Sequence, residues 1–198
     1  IFDIKIENEL ITHIRFALPG KHNLMNALMA FAMAKTYGVS DEDSKKALAS
    51  FKGIRRRFSY QIQSENLVYI DDYAHHPTEI NAVHQAVSEL SPGEKVLAIF
   101  QPHLFSRTRD FADDFAKSLS TFDSVLLLDI YPARELPMEG ITSDWLLSKM
   151  TNFDKKVINK TELIEAVLAS DATVFVSIGA GDIGALVPSI KKALHEKI

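Results

Sequence analysis

The chain has 198 residues, no cysteine and a formal net charge of −4. Its length allows one large domain or one and a half small ones. The missing thiols exclude disulfides and thiolate metal sites and are compatible with a reducing cytoplasm, while the mild acidity argues against broad nucleic-acid binding. Apolar residues make up 46% and charged residues 24%, so a proper core is expected. No stretch approaches the roughly 18 consecutive apolar residues of a membrane span. The N-terminus has no basic-then-apolar signal pattern. It starts at Ile1 and enters strand-like sequence at once, which reads as a piece of a longer chain.

Residues 1–18 alternate. Phe2, Ile4 and Ile6 share one face, and Leu10, Ile14 and Phe16 follow beyond a turn at Glu7-Asn8-Glu9. That pattern predicts an edge-like, half-buried hairpin. Pro19-Gly20 ends it. A helix follows with Leu24, Leu28, Phe31 and Ala32 on one stripe, stopping near Tyr37-Gly38. Ser40 is the N-cap of a second short helix, with Asp43 close to a capping box; this helix carries Ala47, Leu48 and Phe51.

Lys52-Gly53-Ile54-Arg55-Arg56-Arg57-Phe58 is a basic hinge and marks a domain boundary. Beyond it the pattern predicts strands at 58–63, 67–71, 95–100, 124–130, 155–158 and 172–178, and helices at 77–90, 106–119, 142–150, 161–169 and 182–195. This is an α/β arrangement: a doubly wound, mostly parallel sheet with helices on both faces. The first strand is linked to the next by a short turn, so it is expected to be antiparallel. No internal repeat or low-complexity tract is present.

Asp71-Asp72-Tyr73-Ala74-His75-His76-Pro77 carries the strongest chemical signal. The apolar run Leu67–Ile70 delivers two carboxylates, a phenol and two imidazoles to a strand end, and Pro77 opens a helix. Open α/β sheets hold ligands at such ends. Asp72 and His75 are expected to converge, with Asp71 and His76 directed elsewhere. The alternative is that an aspartate bonds the backbone and His76 caps a local pocket. Asp and His are also metal ligands, but no HExxH or helically spaced set accompanies them, so no metal is assigned.

Phe100-Gln101-Pro102-His103-Leu104-Phe105-Ser106-Arg107-Thr108-Arg109 is a second strand end. If the two strands are neighbours, His103 and Arg107 share an edge with His75. Ser106 or Thr108 is the expected helix cap. Arg109 has Asp113 at i+4 as a partner, which leaves Arg107 as the anion-binding candidate. Earlier, Asn23 and Asn26 share one face at a helix start, and carboxamides suit a purine edge; capping by Asn23 is the alternative reading. Arg55–Arg57 could grip phosphate with planar donor forks or be a solvated linker. Gly179-Ala180-Gly181-Asp182-Ile183-Gly184 fits GxGxxG after a strand. A dinucleotide fingerprint needs the first βα unit with more sheet to follow, so this stretch reads as an anion site at a helix start or as a tight turn. No P-loop and no nucleophile elbow occur in the sequence.

Taken in order, Pro19-Gly-Lys-His-Asn-Leu-Met-Asn26, Phe51-Lys-Gly-Ile-Arg-Arg-Arg-Phe58, Asp71-Asp-Tyr-Ala-His-His-Pro-Thr-Glu79, Phe100–Arg109, Tyr131-Pro-Ala-Arg-Glu135 and Gly179–Gly184 resemble the Mur ligases of bacterial cell-wall synthesis. The resemblance covers nearly the whole chain. It implies that residues 1–53 are the tail of a central ATP-binding domain, 54–58 a hinge and 59–198 a C-terminal Rossmann-like ligase domain. The partners it implies are ATP and Mg²⁺, UDP-N-acetylmuramate and L-alanine, and the protein's own N-terminal and central domains, all in the cytoplasm. By position, His22, Asn23 and Asn26 would hold adenine. Arg57, with Arg56 as neighbour, would reach the phosphates, and Asp72 the ribose. Tyr73, His75, His103 and Arg107 would line the amino-acid and phosphate side, with Arg57, His75 and Arg107 closest to the chemistry. Mg²⁺ would be held mainly by residues outside this chain. Many relatives have Arg where this chain has Leu104, which leaves the carboxylate clamp to Arg107 and His103, or to these with backbone groups. Competing readings are a murein-tripeptide ligase of the same family and a non-catalytic nucleotide-binding module.

Overall fold

A computed structural model describes residues 1–197. The chain divides into two compact units, one of Ile1–Ile54 and one that begins at Arg55.

In the first unit, β1 (Phe2–Ile6) runs antiparallel to β2 (Glu9–Ile14), followed by α1 (Lys21–Thr36) and α2 (Asp41–Ser50). The hairpin forms where alternation placed it, but its inward set differs. Ile4 pairs with Ile11, whereas Leu10 sits opposite Lys5 and is 62% exposed. Ile11 and Ile14 have opposite parity, and a bulge lets both face inward. Between the pairs Phe2–Ile14 and Ile4–Ile11, one residue of β1 (Asp3) lies opposite two of β2 (Thr12 and His13). His13 takes φ 61° there, and its amide donates to Asp3 Oδ1 at 2.8 Å. The α1 stripe is also one residue earlier than expected: Asn23, Ala27 and Phe31 are buried at i, i+4, i+8, and Leu24 lies at its margin. In α2, Ser40 caps as expected, accepting from the Asp43 amide. Leu48 is buried, Ala47 is exposed, and Phe51 stacks on Phe16 with ring centroids 6.3 Å apart.

The second unit contains β3 (Ser59–Gln63), β4 (Val68–Asp72), α3 (Pro77–Leu90), β5 (Val96–Phe100), α4 (Phe105–Asp110) and α5 (Ala112–Leu119). It continues with β6 (Ser124–Leu127), α6 (Ser143–Lys149), β7 (Asp154–Val157), α7 (Leu163–Ala169), β8 (Val174–Ile178) and α8 (Ile183–Lys197). The sheet order is β3-β4-β8-β5-β6-β7. β3 is antiparallel to β4, as its short connection requires, and the other strands are parallel. The helix expected over 106–119 is split at Phe111, whose φ of −116° leaves the helical region.

Strand order decides which face each helix covers. The chain steps one way from β4 to β5, β6 and β7, then returns to place β8 between β4 and β5. Parallel crossovers are right-handed, so reversing direction moves the helices to the other face. Residues of α3, α5 and α6 pack with Ile70, Ala98, Phe100, Val125 and Val176 in one apolar layer. Residues of α7 and α8 pack with Tyr69, Leu97, Ile99, Leu126 and Phe175 in the other. The alternation of Ile70 against Tyr69, and of Val176 against Phe175, is the period-2 side-chain rule acting on a sheet buried on both faces.

Phe175 is fully buried in the central strand and Phe153 is fully exposed. Phe175→Ala is expected to cost about 3–5 kcal/mol, and Phe153→Ala to stay within about 0.5 kcal/mol, by urea denaturation. Equal effects would contradict this layering.

Candidate functional site

β8 lies between β4 and β5, yet its following helix packs on the opposite face from theirs. Its carboxyl end is therefore a topological switch point, where open α/β sheets form a crevice. Three loops meet around it: 73–76 after β4, 101–104 after β5 and 179–182 after β8.

The β4 loop is built around two buried carboxylates. Asp71 is 1% exposed and Asp72 is 5% exposed. Asp71 accepts from Arg56 Nε at 3.1 Å and from the Ser177 hydroxyl at 2.8 Å, and Ser177 in turn accepts from Tyr69 at 3.1 Å. Asp72 accepts the Phe58 amide at 2.6 Å and the Ala74 amide at 2.7 Å. Asp72 is thus turned into the fold and fixes the loop's bend, and the residue that meets His75 is instead His103. The Tyr73 ring lies edge-on to His75 at 5.5 Å, and His75 lies 6.2 Å from His103. His76 is the N-cap of α3. It accepts from the Thr78 amide, while Glu79 reaches back to the amides of His75 and His76. This reciprocal cap holds the backbone that carries His75.

On the β5 loop, Arg107 Nη1 lies 3.3 Å from His103 Nδ1. Arg donates only, so Nδ1 accepts and a neutral imidazole carries its proton on Nε2. Tyr131 stacks on the other side of His103 at 5.7 Å. It is held there by its amide donating to Pro102 O at 2.8 Å and its carbonyl accepting from the Leu104 amide at 2.9 Å. Burial first, then the nearby Arg107 and His75, push the His103 pKa below its ordinary value. Ser106 does not cap α4. Its hydroxyl and amide both donate to Glu135, and the hydroxyl bond foremost holds that carboxyl below the usual range. Thr108 donates to Leu104 O at 2.8 Å. Arg109 pairs with Asp110, and Asp113 instead takes Lys149.

The glycine loop after β8 is a tight turn filled by the protein's own groups. A Cβ at Gly179 would lie 2.9 Å from Gln101 O, one at Gly181 would lie 2.7 Å from Tyr131 Cβ, and one at Gly184 would lie 2.6 Å from Arg56 Nη1. Gln101 ties the loop down, donating to Asp182 at 2.7 Å and accepting from the Ile183 amide at 2.9 Å. Burial pushes Asp182 up, but the bonds from Lys160 and Gln101 outweigh it and its pKa is lowered. Beside this loop a cavity of about 460 Å³ is lined by Gln101, Asp129, Tyr131, Asn159, Lys160 and Asp182 among others.

Of the sequence-derived candidates, Arg56, Arg57, Asp72, Tyr73, His75, His103 and Arg107 come together at this edge. Arg56 is drawn inward, and Arg57 is exposed with its guanidinium 5.9 Å from the Tyr73 ring centre. His22, Asn23 and Asn26 belong to the first unit, on the first turns of α1. Gly20 is the N-cap with no side-chain bond. Asn23 does not cap; its amide donates to Pro19 O at 2.7 Å. Asn26 is exposed. Among the described residues no group of three His, Asp or Glu side chains is arranged to hold a metal ion. Sequence reasoning missed Ser177, although a lone hydroxyl inside Val174–Ile178 was a visible signal.

A twisted parallel sheet with a cationic, imidazole-rich crevice at its switch point is a domain for handling phosphate or carboxylate groups. The sequence profile of the Mur ligase, glutamate ligase domain family matches residues 56–183, and the chain belongs to that family. A UDP-N-acetylmuramate–L-alanine ligase of Flavobacterium johnsoniae is 70% identical over 198 residues, covering 100% of this chain and 44% of that protein. The same-named protein of Parabacteroides distasonis is 46% identical over 188 residues, covering 95% of this chain and 41% of its own length. The crystal structure of the UDP-N-acetylmuramate–alanine ligase of Thermotoga maritima is similar with a TM-score of 0.74 at 29% identity, over 92% of this chain and 40% of that one. The murein peptide ligase of Psychrobacter arcticus shares the fold, with a TM-score of 0.63 at 23% identity over 91% of this chain and 38% of that one. The chain therefore spans less than half the length of these relatives.

The lowered His103 pKa has a definite sign. Protonation is harder in the folded state, so the stability His103 contributes is fully present above its ordinary value near 6.5 and is lost as pH falls through the lower folded value. An NMR titration is expected to place the His103 midpoint below 6.5, and Arg107→Ala to move it upward. A wild-type midpoint at or above the ordinary value would refute the assignment.

Proposed function

We propose that this chain is the carboxyl-terminal part of an ATP-dependent ligase that joins L-alanine to UDP-N-acetylmuramate through an acyl phosphate, in peptidoglycan precursor synthesis. Residues 1–53 form the tail of the central ATP-binding domain, 54–58 the hinge and 59–198 the ligase domain. The activities of the named relatives support this reading. The structural observation that carries it is the row Tyr73, His75, His103 and Arg107 at the switch point, with Arg57 on the Tyr73 side.

The chemistry asks for a cation near the transferring phosphoryl group, an anion clamp for the acceptor carboxylate and a neutral amine close to the acyl carbon. Arg57 has the exposure to meet phosphate. Arg107 offers a planar donor fork to the α-carboxylate, and His103 orients it through Nδ1. His75 Nδ1 lies 3.0 Å from Tyr73 O and donates there, which leaves the Nε2 lone pair to accept the proton that the acceptor's ammonium would give up. ATP supplies the activating phosphoryl group when bound; His22, Asn23 and Asn26 would hold its base, and the loop whose bend Asp72 fixes would meet its ribose side. Mg²⁺ would be held mainly by residues in the rest of the protein. No described helix is long and apolar enough to cross a membrane, and we assign the enzyme to the cytoplasm, where its substrates are made.

The cavity of about 460 Å³ borders this row through Tyr131, which lines it and stacks on His103. That keeps one second reading worth testing, in which the acceptor is the murein tripeptide rather than alanine.

The full-length parent is expected to release phosphate from ATP only when UDP-N-acetylmuramate and L-alanine are both present. Tripeptide-dependent release would move the assignment to the recycling reaction, and silence with every acceptor, from folded protein, would favour a non-catalytic module. Losing a charge-assisted bond costs about 1.5–3 kcal/mol, so Arg107→Ala should raise the KM for L-alanine about 10- to 100-fold. Arg57→Ala should instead lower kcat/KM for ATP, and unchanged ATP kinetics would remove Arg57 from the phosphate role.

A further inference from the structure

The three consecutive arginines differ in their surroundings. Arg55 and Arg57 are exposed. The Arg56 side chain is only 18% exposed and all its described contacts are internal. Nε donates to Asp71 at 3.1 Å and Nη2 to Gly179 O at 2.6 Å. The guanidinium lies 5.2 Å from the Tyr73 ring centre, and Arg56 O accepts the Tyr73 amide at 2.7 Å. Its backbone takes φ 61°, a conformation a non-glycine residue holds only when its surroundings over-determine it.

Gly184 is the last glycine of the GxGxxG stretch. A Cβ there would meet Arg56 Nη1 at 2.6 Å, Cζ at 2.7 Å and Nε at 3.0 Å. Nη1 belongs to a planar group whose Nε and Nη2 are both bonded, so it cannot swing aside without breaking those bonds. The glycine is needed by the arginine and not by a nucleotide.

We propose that Arg56 is a positioning residue, seated over Gly184, that fixes Tyr73 and through it the acceptor side of the site, and that it is not a phosphate ligand. The proposal rests on the ligase reading above. One guanidinium ties the β4 end to the β8 loop and fixes Tyr73 by backbone and ring. Tyr73 in turn abuts His75, which faces His103, the residue that Arg107 bonds. Asp71 pairs with the cation inside the fold, so the charge of Arg56 is already matched, whereas Arg57 next to it has none of these bonds. Lysine carries the charge but not the fork, and one ammonium cannot reproduce the Nε and Nη2 bonds in their fixed geometry.

The test is a cycle in the full-length parent: Arg56→Ala, Arg56→Lys, Gly184→Ala and the double Arg56→Ala/Gly184→Ala. Displacing the acceptor groups by about 1 Å should lower kcat/KM for L-alanine about 10- to 100-fold in each single variant, with the KM for ATP within about twofold. The double variant should be no worse than Arg56→Ala, because removing the guanidinium makes room for the new methyl. If Gly184→Ala fails to fold, adding Arg56→Ala should restore soluble protein with the melting temperature of Arg56→Ala alone. The proposal is overturned if Arg56→Ala raises the KM for ATP tenfold or more and spares L-alanine, if Arg56→Lys is fully active, or if the two losses multiply in the double variant. A parent without acceptor-dependent phosphate release would sink the ligase reading. The melting temperatures would still decide whether Arg56 and Gly184 are coupled, and independent melting shifts would sink the present proposal.

Discussion

β8 is formed from the last described strand segment and lies between β4 and β5, whose paired residues precede it by about a hundred and about eighty residues. It pairs with β4 on one side and β5 on the other, and Val174, Phe175, Val176 and Ile178 are buried between the two helical layers. Neither layer is complete without it. Contacts this distant in sequence require a long loop to close before they are rewarded, so the sheet's centre is its slowest part to assemble. The same insertion creates the crevice. Without the return to the middle, all the helices would cover one face and no switch point would exist.

Placing the strand there brings charge into a dry region. Asp71 and Asp72 end β4 beside β8, and an unpaired buried carboxylate is costly. Each is matched differently. Asp71 takes a guanidinium and a hydroxyl, and Asp72 takes two backbone amides. A buried ion pair is weak evidence of net stabilisation, and the value of this one is geometric. It fixes where β4 ends, where the chain enters β3 and how Tyr73 leaves the sheet. The groups left facing the crevice are then Tyr73, His75, His103, Arg57 and Arg107, an edge rich in cations and imidazoles whose carboxylates have been turned inward.

Much of the second unit was legible because its signals are local. Apolar runs of five to seven residues alternate with helical patterns, and the short turn before Leu67 correctly implied an antiparallel first strand. The β4 and β5 loops were expected to cluster if their strands were neighbours; β8 lies between the two, and the loops still bring His75 and His103 within 6.2 Å across its end. What escaped the sequence depends on the third dimension or on a single extra residue. The bulge at His13 changes the parity of β2, so Leu10 and Ile11 exchange faces. Phe111 breaks a helix whose apolar pattern continues through it. Asp72 was expected to converge with His75 because adjacent residues diverge; instead both carboxylates are buried, and Asp72 is held by the amides of Phe58 and Ala74, which no spacing rule encodes. Ser106 has the composition of a cap, yet Glu135, nearly thirty residues later, takes both its donors.

The positions of backbone strain follow the same geography. In the second unit Arg56, Phe58, Leu104 and Ala133 have positive φ and all four lie in loops at the carboxyl edge of the parallel strands, while Glu7 and His13 take it at the turn and bulge of the first unit's hairpin. Such conformations cost about 1–3 kcal/mol each, so each needs something to hold it. The Phe58 side chain is 1% exposed in the core, and its amide is bound to Asp72. The Leu104 amide is bound to Tyr131 O, and its carbonyl accepts the Thr108 hydroxyl. Arg56 is held by three bonds and by a space only glycine leaves open. The strained residues of the second unit are thus the ones whose neighbours form the crevice, namely Arg57, Tyr73, His103 and Arg107. The core stabilises the loops in shapes they would not adopt alone, and those shapes bring the cations and imidazoles together. Leu104 illustrates the logic: its left-handed backbone turns the chain between His103 and Arg107 so that the imidazole and the guanidinium come within 3.3 Å of each other.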